Sequence, residues 1–246
     1  MSESMKPSRG QSVIDAVDAR MSELSAWNRT IFEFGETAWR EERSAAWYVE
    51  RLRAEGFLSL TVPKEFGGQG VSFLGHTIAY EALGQGCPST ALSFNMHASV
   101  VNPVLESPEV PADAKALIAD LVVRQGKMIG GNFSEPGHTS LIGERPLTAQ
   151  ARRVPGGYRL TARKMFASML EAADYVLVLA HPVGIETPTA GALMLVLHDA
   201  PGRRVDANWD VLGMRATRSD SLLLDDCVLD EHAAILWTDR KSTRLN

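Results

Sequence analysis

Apolar positions in the first half of the chain recur every three to four residues. Val13, Ile14, Val17, Met21 and Leu24 set the pattern, and Phe32, Trp39, Trp47, Leu52 and Phe57 continue it within a charged background, the spacing of helices that bury one face. Two long helices are predicted between Ser12 and Ala54, with Gly56 as the C-cap of the second, because a residue without Cβ enters the left-handed conformation at little cost. The stretch from Thr61 to Leu74, TVPKEFGGQGVSFL, reads as loop by its Pro and Gly content. Helix returns from Gly75 to Gly86. Ser89 caps another that is expected to stop before Asn102-Pro103, since the residue preceding proline resists helical dihedrals. Pro111 opens a further helix to Arg124, with Ala114, Leu117, Ile118, Leu121 and Val122 on one face.

The texture changes near Lys127. Strand-length apolar runs follow at Lys127 to Phe133, Leu147 to Val154, Tyr158 to Phe166, Tyr175 to Ala180, Ala192 to His198 and Leu222 to Leu229. Pro155-Gly156-Gly157 is a hairpin signal between two of them. No helical pattern of crossover length lies between the runs, which disfavours a parallel sheet. The predicted class is therefore α+β: an all-helical domain over residues 1–125, then a middle antiparallel β-barrel or sandwich domain over 126–237. The ending WTDRKSTRLN closes without a cap or an element, and 238–246 reads as a non-native or disordered tail.

Composition narrows the function classes. With 246 residues and 45% hydrophobic content the chain has material for a full core. Twenty-five basic against 30 acidic residues, net −5, leave no broad basic surface for a nucleic acid. Cys87 and Cys227 form no CxxC pair or disulfide framework, Met1 to Asp15 holds no apolar leader segment, and no run is long enough for a membrane span. A cytoplasmic protein is expected. The six histidines never pair at ligand spacing, so no metal site is predicted, and neither a GxSxG elbow nor a Walker loop is present. Gly84-Gln85-Gly86 imitates a dinucleotide fingerprint but follows helix and lacks the third glycine.

Three segments carry the candidate chemistry. Gly130 to Ser140, GGNFSEPGHTS, runs from a strand into a Pro-Gly turn with exposed donors and hydroxyls, a place to bind a ring or a phosphate, or simply a hairpin turn. Arg163 to Ser168, RKMFAS, ends a strand with an aromatic and a hydroxyl, a pattern that by itself is more often core. Leu212 to Thr217, LGMRAT, reads as a tight turn before an edge strand.

Taken in order, PKEFGGQG (63–70), SEPGHTS (134–140), RKMFAS (163–168) followed by AADYVLVLA, and LGMRATRS (212–219) followed by LLLDDCVL resemble the acyl-CoA dehydrogenase family over about residues 45–235. The resemblance implies a helical domain, a β-domain and a C-terminal helical bundle that would lie beyond this chain. FAD would sit between the last two domains. On the matching positions, Phe133 and Ser134 correspond to residues that contact the isoalloxazine ring, with serine where threonine is usual. Phe166, next to Ala167, stands in place of a tryptophan that packs on the ring. Ser168 replaces a threonine that hydrogen-bonds near flavin N5, and Ser140 matches a serine close to cofactor and thioester ligand. Phenylalanine keeps the ring but loses the indole N–H. Leu141 stands where the family has an acidic residue.

The implied reaction is α,β-dehydrogenation of an acyl-CoA, within fatty acid metabolism. A glutamate base takes the α-proton, hydride passes to the flavin, an electron-transferring flavoprotein or similar acceptor reoxidises it, and the full-length enzyme is a homo-oligomer. The α C–H is weakly acidic, so such a reaction needs donors where enolate charge develops and a desolvated base. No glutamate here matches the base motif, so no catalytic residue is expected in this chain, which alone would be inactive. Two other readings stay open: a flavin monooxygenase or nitroalkane oxidase on the same fold, the former with FMN, and an inactive fragment.

Overall fold

The computed structural model describes residues 18–35, 42–86, 88–137, 147–187 and 190–238. Contacts divide the chain into two compact units, the first ending at Tyr48 and the second starting at Val49. In the first, helix α1 (Met21–Phe34) closes at Gly35 with φ +62°, and the Trp27 and Trp47 rings meet edge to face at 5.8 Å. Helix α2 spans Glu42–Ala54 and ends, as expected, on a left-handed Gly56 whose N–H bonds to Arg53 O.

The second unit continues with helices α3 (Phe73–Gly86), α4 (Pro88–Glu106) and α5 (Ala112–Ala119), the last running into a π-helical turn over Asp120–Arg124. The expected stop before Pro103 is corrected: α4 carries on through it to Glu106. Val100, Val101, Val104 and Leu105 on that stretch are each no more than 3% exposed. Burying four aliphatic side chains at about 1.5–3 kcal/mol apiece outweighs the roughly 3 kcal/mol that an internal proline costs.

The strands are β1 (Ile129–Asn132), β2 (Gln150–Val154), β3 (Gly157–Ala167), β4 (Tyr175–Pro182), β5 (Gly191–Leu197), β6 (Arg203–Asp206), β7 (Asp220–Leu229) and β8 (Ala234–Thr238). They form one eight-stranded sheet in the order β6-β7-β3-β2-β4-β5-β8, with β1 also paired to β4. Pro155-Gly156 turns the β2–β3 hairpin as predicted, with Gly156 at φ +80°. The sheet is mostly antiparallel, confirming the α+β class, but β4 pairs in parallel with both β1 and β2, pairings that need no intervening helix because the strands are not sequence neighbours. Sequence patterning missed β6 and β8, which are only four and five residues long. It also placed β7 at an edge, whereas β7 lies between β6 and β3.

Helices and sheet of this unit share one core. Phe94, Val104 and Ile118 from the helices pack in the same cluster as Leu160, Leu177, Leu193 and Ile235 from the strands, and the expected seam near residue 125 falls within this unit. Two polar anchors fix β1 on it. His97 of α4 is buried, accepting from Ile129 N at Nδ1 (2.9 Å) and donating from Nε2 to Leu58 O (3.1 Å). Burial lowers its pKa to about 4, so the ring is neutral. Asp174, at the head of β4, receives Met128 N and Arg53 Nη2 at 2.8 Å each and Lys127 Nζ at 3.1 Å. Burial raises its carboxyl pKa, but these donors outweigh it and hold the group below the usual range. Gly131 lets α4 approach β1 closely, since a Cβ there would stand 2.2 Å from Val100 Cγ1.

Candidate functional site

Three chain segments meet at the end of β1: residues 132–135, the bulged end of β3 from Lys164 to Ser168, and the β6–β7 connection from Trp209 to Ser219. The first two are joined by Met165 N donating to Ser134 O at 3.0 Å. The second and third are joined by the β3–β7 ladder, in which Ala167 pairs with Asp220 after a register shift, and by the Phe166 and Trp209 rings, edge to face at 6.1 Å. Phe133 and Ser134 thus lie on one of the joined segments and Phe166, Ala167 and Ser168 on another. Ser140 and Leu141 lie outside the described residues.

Phe166 sits at φ +58° and remains 50% exposed. A left-handed backbone is strained for a residue with a bulky side chain, and the bulge that imposes it turns the ring out of the sheet instead of into the core. Leu212 and Met214 on the facing connection are exposed as well, and the Trp209 indole N–H ties that loop to Met214 O at 3.2 Å. The loop is pinned at its base, where buried Asp220 accepts Trp209 N at 2.8 Å. Ala167 is fully buried, and the Phe133 ring folds back over Gly131.

Beneath this surface lies an ion pair that sequence reasoning missed. Lys164 and Glu135 have side chains with no exposure, and Lys164 Nζ donates to Glu135 Oε1 and to Leu179 O, each at 2.6 Å, with Phe133 O at 3.5 Å. Glu135 also accepts Thr148 N and Thr148 Oγ1 at 2.6 Å and Ala149 N at 3.1 Å. Burial lowers the lysine pKa against the pull of Glu135; it raises that of Glu135, but Lys164 and Thr148 prevail and hold the carboxyl below its usual range. The pair clamps both ends of the 136–147 connection to β3, directly under Met165 and Phe166. Its signal in the sequence was a glutamate inside a Pro-Gly turn and a lysine inside an alternating strand, two charges at positions where one face must be buried.

Two polar groups at the junction have valences to spare. Asn132 is 2% exposed, and neither its Nδ2 nor its Oδ1 has a hydrogen-bond partner among the described residues. Side-chain directions alternate along a strand, so Asn132 shares a face with Gly130, whose Cβ direction meets Ala173, Met169 and the Ser168 carbonyl. Ser168 Oγ lies 2.7 Å from Ser219 Oγ, which lies 2.9 Å from Thr217 Oγ1, and Thr217 donates to Met214 O at 2.9 Å. Ser168 has no other side-chain partner among the described residues. No group of His, Cys, Asp and Glu among them has the arrangement of a metal site. Cys227 is a buried free thiol whose pKa burial pushes up to about 11. No helix among the described residues is long and apolar enough to cross a membrane.

The family model for the acyl-CoA dehydrogenase N-terminal domain matches residues 27–108. YdbM of Bacillus subtilis (strain 168), which carries the provisional name acyl-CoA dehydrogenase, is 33% identical over 82% of this chain and 53% of its own length. The chain belongs to the acyl-CoA dehydrogenase family. The amino sugar nitrososynthase DnmZ of Streptomyces peucetius is 28% identical over 78% of this chain and 46% of its own length. Among solved structures, KijD3 in complex with FMN and a dTDP-sugar superposes with a TM-score of 0.72 at 25% identity, covering 97% of this chain and 56% of that one. The chain spans about half the length of the curated relatives it matches.

Proposed function

We propose that this chain supplies the flavin-facing surface of an oxidoreductase that dehydrogenates an acyl-CoA thioester. The observation that carries the reading is the meeting of Ser134, Phe166 and Ser168 at one surface, with a half-exposed aromatic ring held out by a strained backbone beside a buried hydroxyl with a free valence. Those features fit a flat heteroaromatic ring with polar edges: Phe166 offers a stacking face, while Ser168 and the unpartnered Asn132 amide offer hydrogen bonds. Carbonyl groups of the ring suit the Asn132 Nδ2 donor. A bound flavin would supply the two-electron chemistry that side chains lack. The chain's own residues hold the ring, exclude water from one of its faces and fix the hydrogen-bonding character at its edge; the base comes from sequence beyond them. FAD as cofactor, an electron-transferring flavoprotein or similar acceptor, a homo-oligomeric and cytoplasmic enzyme, and a 1–125/126–237 domain division complete the proposal, with Ser140 contacting cofactor and thioester.

A second reading, oxygenation with FMN, is favoured by the likeness to KijD3, solved with FMN, and Phe166 is compatible with it. One experiment separates the two. Anaerobic addition of acyl-CoA substrates of varied chain length to the intact flavoprotein bleaches the flavin absorbance if it is a dehydrogenase. Absence of bleaching at every chain length, together with flavin-dependent oxygen uptake, overturns dehydrogenation in favour of oxygenation.

A further inference from the structure

The hydroxyls of Ser168, Ser219 and Thr217 form a chain whose direction is set by its far end. Met214 O carries no proton, so its 2.9 Å contact with Thr217 Oγ1 uses the single hydroxyl proton of Thr217. The 2.9 Å contact between Thr217 and Ser219 then requires the proton of Ser219, and the 2.7 Å contact between Ser219 and Ser168 requires that of Ser168. Three protons serve three hydrogen bonds, all pointing towards Met214. Ser168, Ser219 and Thr217 are only 9%, 6% and 3% exposed, which leaves little room for water to supply another donor. Ser168 therefore turns lone pairs, and no proton, to whatever lies against it. Reversing the chain would give up the Thr217–Met214 bond, a bias worth one net hydrogen bond.

We infer that Ser168 meets the flavin edge as an acceptor, so that this site selects reduced flavin over oxidised flavin, with Ser219 and Thr217 as the positioning residues that impose the selection. The inference rests on the proposal that the ring lies against Ser168, taken one step further to set its N5 edge there. Oxidised isoalloxazine presents a lone pair at N5, which would face the lone pairs of Ser168. The reduced ring carries an N–H there, which donates to Ser168 Oγ. Such a preference suits a protein that takes up flavin already reduced, and in a dehydrogenase it favours the forward transfer of electrons into the ring.

The test measures dissociation constants of FMN and FAD on the intact protein, oxidised and then dithionite-reduced under anaerobic conditions. Ser219→Ala frees the Ser168 proton, and Thr217→Val removes the cost of reversal. Each is expected to tighten oxidised-flavin binding on the order of fivefold while leaving reduced-flavin binding within about twofold, one hydrogen bond's worth of change. Ser168→Ala has the opposite signature: reduced flavin weakens by a similar factor and oxidised flavin does not. Each tenfold change in the ratio of the two constants moves the two-electron midpoint potential by about 30 mV, giving a second readout. Flavin binding that responds to Ser168→Ala but shows no gain for oxidised flavin in Ser219→Ala and Thr217→Val overturns the inference and leaves the site standing. Indifference of both redox states to Ser168→Ala overturns the site and the inference together.

Discussion

The two polar clusters at the β1–β3 junction are close in space and opposite in character. Around Lys164 and Glu135 the charged atoms are fully partnered: the ammonium has a carboxylate and a carbonyl at 2.6 Å and a second carbonyl at 3.5 Å, and the carboxylate has two backbone N–H groups and a hydroxyl besides the lysine. At Asn132 both polar atoms lack partners among the described residues, and at Ser168 the proton is committed while the lone pairs are not. Burial without satisfaction costs about 1–3 kcal/mol per group, so the first cluster reads as scaffold and the second as a place where a ligand completes the structure. A polar residue is thus better judged by what it lacks than by how deeply it is buried.

The contrast can be broken most forcefully on the scaffold side. Lys164→Met leaves Glu135 charged and buried alone, and should destabilise the protein by about 3–5 kcal/mol in urea unfolding. Adding Glu135→Gln removes that charge and keeps an acceptor for Thr148, so the double variant should recover at least about 1.5 kcal/mol of the loss; additive losses would show that the pair is not coupled. Next in size is the acid response of the anchor under β1. His97 has a pKa of about 4 when folded, against 6.5 for a free imidazole side chain, so the unfolded chain binds the proton more readily. Its stabilising contribution is complete above pH 6.5 and declines as pH falls to 4, by roughly 3 kcal/mol in all. His97→Gln should flatten that part of the stability–pH curve.

On the ligand side the signs reverse. Asn132→Leu replaces an unpartnered amide with an apolar group of similar size and should raise stability by about 1 kcal/mol while weakening flavin binding; a fall in the unfolding midpoint would mean that the amide is satisfied in the folded protein. The smallest effect is expected at Phe166. Phe166→Gly relieves a left-handed φ, so stability should change by less than about 1 kcal/mol, while the loss of the stacking face shows as weaker flavin retention in equilibrium dialysis.

Much of this layout was legible from local pattern. The Pro155-Gly156 hairpin, the Gly56 cap and six of the eight strands follow from turn chemistry and alternation, which act within a few residues. The passage of α4 through Pro103 was not, because the proline's local preference is overruled by the burial of Val100, Val101, Val104 and Leu105. The position of β7 inside the sheet was also hidden, since its outer partner β6 is a four-residue strand of mostly polar sequence. At the site, the segments holding Ser134, Phe166 and Ser168 could be marked by motif order, whereas Asn132 and Ser219 lay inside marked segments without standing out: a buried asparagine and a serine before a strand look like any others until their partners are counted.

The sequence by itself determined the helix-then-strand order, which periodicity and turn residues encode locally, and the order of its motifs pointed to the family and to three candidate segments. Only the tertiary structure decided which hydroxyl proton points where. That direction depends on Ser168 and Ser219 meeting across 51 residues of chain and on a carbonyl at Met214 ending the line. Hydrogen-bond polarity is a property of the closed network, and no residue in it carries that information alone.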